Sequence, residues 1–228
     1  ELEYGVFEKC SSLKTIKLSN NITKIEGATF SGCRKLTNIT IPKGVTSIGR
    51  NAFLDCQNLK SATIPDSVTK IDDNVFYACS SLKNIKIPNS VKSIGEDVFD
   101  GCSSLTNITI PEGIKEIKYF TFAGCSGLKS VKIPNSVKRI GEYAFGDCSG
   151  LSSITIPGSV TEIDDQAFQD CKRLKSIEIP KGVKRVGGGA FSRCESLENV
   201  KISNSVTELG NSTMGGTFEE CSSLRSII

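Results

Sequence analysis

The sequence predicts a β-rich α/β solenoid: one chain, residues 1–228, wound into about ten stacked coils that form a single domain. Three observations predict it. Cysteine falls at 10, 33, 56, 79, 102, 125, 148, 171 and 194, always 23 residues apart, and again at 221 after a step of 27. Phenylalanine stands three residues before each cysteine, from Phe7 to Phe218, and leucine three residues after it, from Leu13 to Leu224. All seven prolines hold one slot of the same period, at 42, 65, 88, 111, 134, 157 and 180. A fixed period of about 20–50 residues marks units that cannot bury their apolar face alone and must stack on copies of themselves.

The unit that begins at Cys33 shows each element in turn. Leu36, Ile39 and Ile41 alternate with Asn38 and Thr40, the period-two pattern of a strand with one buried face. Pro42 then ends the strand, since proline has no N–H to give to a ladder and biases the residue before it toward extended geometry. Lys43-Gly44 is turn chemistry, replaced by Asn-Ser, Asp-Ser, Glu-Gly or Gly-Ser in other units. Val45 and Ile48 follow as a second, shorter extended segment with its apolar side inward, repeated as Val68/Ile71 and Val91/Ile94. Gly49 makes the next turn, with Asp72 and Asp164 in its place elsewhere. Residues 51–56 are too short for a free helix and are expected to form one helical or 3-10 turn pinned by Phe53 and Cys56. The coil is expected to be right-handed and curved.

The strand motif Leu36-Thr37-Asn38-Ile39-Thr40-Ile41 resembles the L-x-x-L-x-L motif of leucine-rich repeats. The full unit, I-P-x-x-V-x-x-I-G-x-x-A-F-x-x-C-x-x-L, resembles the BspA-like class of bacterial and protozoan surface proteins, over essentially the whole chain. It departs from the better-known leucine-rich pattern at the turn asparagine, where Gly44, Ser67, Ser90 and Gly113 stand, so no asparagine ladder is expected there. The resemblance implies a leucine-rich-repeat solenoid on a cell-surface or secreted protein. It also implies adhesion to host matrix or plasma proteins, such as fibronectin and fibrinogen, or to other microbes.

Composition narrows the chemistry. Twenty-eight Lys+Arg against 25 Asp+Glu leave a net charge of +3, too balanced for bulk attraction to nucleic acid or membrane. No run of about 18 apolar residues exists to span a bilayer, and ELEYGVFEKC has no signal-peptide pattern. The chain starts and stops inside a repeat, so a fragment of a longer protein is expected. With no histidine, Ser-His-Asp and Cys-His schemes are absent, and cysteines never closer than 23 residues lack zinc spacing. No enzyme, metal or cofactor is expected. Stacked cysteines should share one direction into the core, which disfavours bridging; a ladder of free, buried thiols is expected instead.

Partner-binding candidates come from the outward slots. Lys60, Lys83, Lys86, Lys129, Lys132 and Lys175 fall on the outer face of the main strand, with Lys14, Lys17, Lys201 and Arg225, against Glu178 and Glu198. The acidic residues Asp72, Asp73, Glu96, Asp97, Glu142, Asp164 and Asp165 collect near the turn segments as solvated groups, so a polarised surface is expected. The basic face reads either as a site for an acidic protein or glycan or as a solvated sheet surface. Tyr119 and Phe120, with Tyr143 one coil on, form an off-register cluster that is either self-packed or a contact site. A rigid, monomeric spacer is the alternative role. The four N-x-[ST] triplets, at Asn21, Asn38, Asn107 and Asn211, carry little, since two of them spell the strand. The extra residues after Gly210 are expected to bulge as a loop.

Overall fold

A computed structural model describes residues 2–210 and 213–228. The chain is a parallel β-solenoid of about 9 turns. Each main strand lies beside the main strand of the next coil, as in Asn38–Thr40, Ser61–Thr63 and Asn84–Lys86, or Ser176–Ile179 and Asn199–Ile202. A two-residue second strand does the same, from Lys24–Ile25 and Ser47–Ile48 to Glu208–Leu209. The strands of successive coils pair in register at the repeat spacing, Ile39 opposite Ala62 and Ile48 opposite Ile71, so each apolar slot stacks on itself. One hydrophobic core therefore runs the length of the molecule, with the Phe, Cys, Leu and Val slots of the inner coils fully buried.

The third side of the coil corrects the expectation of a helical turn: no helix occurs among the described residues. Asn51 and Asp55 both have positive φ, 60° and 57°, and their equivalents in neighbouring coils repeat it. Two left-handed residues in five are incompatible with a continuous right-handed turn. Ala52, Leu54 and Cys56 donate to the carbonyls three residues back, Gly49, Asn51 and Phe53. The alternate N–H groups, of Asn51, Phe53 and Asp55, leave the coil and donate to Asp73, Val75 and Tyr77 of the next. A chain of tight turns thus replaces the helix and adds a third intercoil ladder, which satisfies backbone groups that burial would otherwise penalise.

Two side-chain ladders lock this side. The phenylalanine rings stack from Phe7 to Phe218 with centroids 5.1–5.6 Å apart and nearly parallel planes. From Cys33 onward each thiol reaches back to the phenylalanine carbonyl of the preceding coil, as in Cys56 Sγ to Phe30 O (3.2 Å) and Cys102 Sγ to Phe76 O (3.2 Å). All ten cysteines are free, eight of them buried. At the turn where asparagine is missing, serine hydroxyls do the bridging. Ser67 donates to Val45 O (2.6 Å), Ser90 to Val68 O (2.7 Å) and Ser136 to Ile114 O (2.6 Å).

The slot of Gly49 alternates in size. Gly49, Gly95, Gly141 and Gly187 sit between coils that carry Asp72, Lys118 and Asp164 there. A Cβ on Gly95 would stand 2.5 Å from the backbone of Asp72 and Asp73, and one on Gly141 2.9 Å from Lys118. Lys118 is therefore one member of this alternation. The insertion leaves the stack intact: Phe218 packs on Phe191 at 5.6 Å, and Cys221 bonds Phe191 O at 3.1 Å. Asn211 and Ser212, within the expected loop, lie outside the described residues.

Candidate interaction surfaces

Period-two geometry sends alternate residues of each main strand outward. Lys60, Lys83, Lys86, Lys129, Lys132 and Lys175 are all exposed. In one column Lys86 faces Thr63, and Lys132 faces Thr109 and Thr155, which separates like charges that would repel across adjacent strands. The other column is less careful: Lys83 donates its backbone N–H to Lys60 O (3.3 Å), so two lysines are direct neighbours. Among the described residues none of these six forms an ion pair, whereas Lys201 on the same face holds Glu178 at 2.8 Å. Between the columns runs a Ser/Asn row, with Ser61 Oγ donating to Asn38 Oδ1 at 2.8 Å. Lys86 also borders a hollow of about 650 Å³ over Ala62, where Ile39 and Ile85 stand on either side.

The second-strand face, next to the turn segments where the acidic residues collect, carries charges of both signs. Lys92, Lys115 and Lys138 occupy one exposed column on three successive coils. Beside them charges alternate: Glu116, Arg139, Glu162, Arg185, Glu208. Arg139 meets Glu116 (3.1 Å), Glu162 (3.6 Å) and Asp164 (2.7 Å). Arg185 meets Asp164 (2.8 Å), Asp165 (3.2 Å) and Glu208 (3.8 Å). The turn carboxylates are thus not simply solvated. Asp164 is only 4% exposed and is held by two guanidinium groups. Asp165 accepts the Gly188 N–H (2.9 Å), and Asp73 that of Glu96 (3.0 Å). These are intercoil clamps. Reading the second-strand slots down the 23-residue period would have exposed both columns.

The third candidate is brought together as expected. Phe120 lies between Tyr119 (4.2 Å between ring centroids) and Tyr143 (4.5 Å, stacked). Tyr119 is 41% exposed, the other two half-buried. Tyr143 donates its hydroxyl to Asp147 at 2.6 Å. Burial, that hydrogen bond and the surrounding carboxylates all push its pKa up. Asp100 is pushed up to about 6 by burial and by the negative charges of Asp97 and Asp147. None of the three surfaces gathers a set of groups able to hold a metal ion, among the described residues. No helix is long and apolar enough to cross a membrane.

Comparison with known proteins gives a consistent picture. The family model described as "BspA type Leucine rich repeat region (6 copies)" matches residues 1–129 and 92–225. No curated protein matches the chain. A leucine-rich repeat protein from Bacteroides ovatus is 32% identical with a TM-score of 0.72, over 90% of this chain and 58% of its own. A leucine-rich cell surface protein from Faecalibacterium prausnitzii is 32% identical with a TM-score of 0.64, over 98% of this chain and 68% of its own. A leucine-rich repeat protein from Eubacterium ventriosum is 29% identical with a TM-score of 0.72, over 84% of this chain and 55% of its own. The chain thus spans little more than half of two of these structures.

Proposed function

The chain belongs to the BspA-type leucine-rich repeat family, and on that premise we propose that it is a non-enzymatic recognition module of a cell-surface or secreted protein, one that holds acidic surfaces of partner proteins against its main sheet. The observation that carries this reading is the pair of lysine columns. Six exposed lysines, Lys60, Lys83, Lys86, Lys129, Lys132 and Lys175, stand on a surface built of short polar side chains, and none of them forms an ion pair among the described residues. A solenoid of this kind presents an extended face, and a right-handed curve would wrap that face around a partner. Matrix and plasma proteins such as fibronectin and fibrinogen are the first partners to test, on the resemblance alone; a sulfated glycan offers the same charge.

The test replaces Lys83, Lys86, Lys129 and Lys132 together by Gln. All four are solvent-exposed, so an unchanged melting curve is expected. Exposed ion pairs contribute about 0.5 kcal/mol each, so losing four should weaken binding by about 2 kcal/mol, roughly 30-fold. Binding of the parent chain to immobilised fibrinogen and fibronectin should also fall steeply with salt, because exposed charges are screened over about 10 Å at 0.1 M. Undiminished, salt-insensitive binding would move the site off this face. A second reading, a rigid spacer, is favoured by the three intercoil hydrogen-bond ladders. It gains if the parent chain binds neither protein.

A further inference from the structure

The Tyr119–Phe120–Tyr143 cluster is a deliberate departure from the repeat. Its slot between the two turns is left-handed in each coil from Gly5 to Gly189, and Asn51, Asn74 and Asp97 suit that conformation. Phe120 (φ 52°) and Tyr143 (φ 54°) are bulky residues placed there against backbone preference. The neighbouring sequence makes room for them. Gly146 lies directly beneath the Tyr143 ring, where any Cβ would collide with it, and Ala123 stands at the same position below Phe120. Other coils carry Leu54, Tyr77, Asp100 or Gln169 at that position, and Ser31 and Ser192 stand there in two more.

The surroundings of the cluster are acidic. Glu96, Asp97, Asp100 and Glu142 all act electrostatically on the Tyr119 hydroxyl, and Asp147 and Asp170 on Tyr143. Tyr119 also lines a groove of about 460 Å³ with Glu96, Glu116 and Glu142; its cations are Lys118 and the two arginines Arg139 and Arg185, which are already paired with Glu116, Asp164 and Asp165. Glu96 and Glu142 form no ion pair among the described residues. Asp100 resists ionisation mainly because it is partly buried and further because Asp97 and Asp147 are negative, and only that second, repulsive part would be relieved by an added cation.

We propose that the Tyr119–Phe120–Tyr143 cluster, with its ring of carboxylates, is a docking site for a basic protein segment whose arginine side chain lies on the aromatic faces and points its guanidinium toward Glu96 and Glu142. Charge complementarity selects this occupant. An aromatic face attracts a cation through its quadrupole, and arginine stacks on it while leaving its N–H groups free for carboxylates. The site is separate from the lysine face, which would take partners of the opposite charge, so either reading can fail alone.

The probe is a peptide of three Gly-Arg-Ser units, compared by calorimetric titration with its citrulline analogue, which keeps the shape and loses the charge. The parent chain should bind the arginine peptide and not the citrulline one. The double variant Phe120→Asn with Tyr143→Asn uses the residue that Asn51 and Asn74 place in this slot, so the fold has a precedent for it. It should weaken binding by about tenfold or more, as should Glu96→Gln with Glu142→Gln. Equal binding of the citrulline peptide, no binding of either peptide, or undiminished binding by the asparagine variant would overturn the proposal. So would a dimer of the parent chain that the asparagine variant dissociates, since that result assigns the cluster to a second copy of the chain.

Discussion

Phe99 is the position at which the stacking account is most exposed to test. Its ring is fully buried and lies between Phe76, 5.6 Å away and tilted by 8°, and Phe122, 5.5 Å away and tilted by 1°. Truncation to alanine removes the side chain's burial and leaves a cavity, at a cost of about 3–5 kcal/mol. That figure includes two ring contacts of about 0.5–1.5 kcal/mol each. Phe7 does the same job with one ring neighbour, Phe30 at 5.3 Å, and is only half-buried. Phe7→Ala should therefore cost about 1–2 kcal/mol. Urea unfolding followed by circular dichroism measures both. Phe99→Ala should in addition broaden or split the transition, because a solenoid is held together by nearest-neighbour interfaces. A double-mutant cycle on Phe76→Leu and Phe99→Leu should show coupling of about 0.5–1.5 kcal/mol, and one on Phe53→Leu and Phe99→Leu none. Equal destabilisation by Phe99→Ala and Phe7→Ala, or coupling indifferent to distance, would refute the reasoning.

Three further outcomes follow from the same geometry. A thiol reagent should label Cys10 and Cys221 quickly in the native chain and the eight buried cysteines only on denaturation, since burial raises Cys33 to about 11 and pushes the inner thiols higher still; fast labelling of all ten would contradict the ladder. Asp100 has a folded pKa of about 6, above the ordinary 3.8 of its carboxyl, so its contribution to stability is complete below pH 3.8 and is lost as pH rises through 6. Screened at this half-exposed site, the effect is about 1 kcal/mol: Asp100→Asn should be the more stable protein at neutral pH by that amount, and the advantage should vanish at the acid end of a pH series of urea titrations. Gly95→Ala should lower stability by about 1–3 kcal/mol through collision with the coil below, whereas Gly44→Ala, with carbonyl oxygens no nearer than 3.1 Å, should cost less in the same assay.

The 23-residue period made the stack, the strand faces and the buried thiols legible, because Phe53, Cys56 and Leu59 each repeat as one residue type. The turn geometry was hidden for the opposite reason. The left-handed slots hold Asn51, Ala28, Asp97, Phe120 and Gln166, so no single residue type announces the conformation. The coil backbone imposes it through intercoil hydrogen bonds, which a reading of six isolated residues cannot see. The Arg139 and Arg185 clamps were missed because opposite charges a coil apart average to a neutral slot, and only the register shows that Glu116, Arg139 and Glu162 are neighbours. The aromatic cluster was found because Phe120 breaks the phase of the other phenylalanines.

Which face meets a protein partner is the central claim, and lysine acetylation footprinting measures it directly. The chain is labelled free in solution and again when bound to a surface coated with fibronectin or fibrinogen, and each lysine is quantified by mass spectrometry. The account predicts that Lys60, Lys83, Lys86, Lys129, Lys132 and Lys175 lose reactivity together, while Lys92, Lys115 and Lys138, equally exposed on the second-strand face, keep theirs. Protection of Lys92, Lys115 and Lys138 with the other six still reactive, or no change in any of the nine, would contradict it.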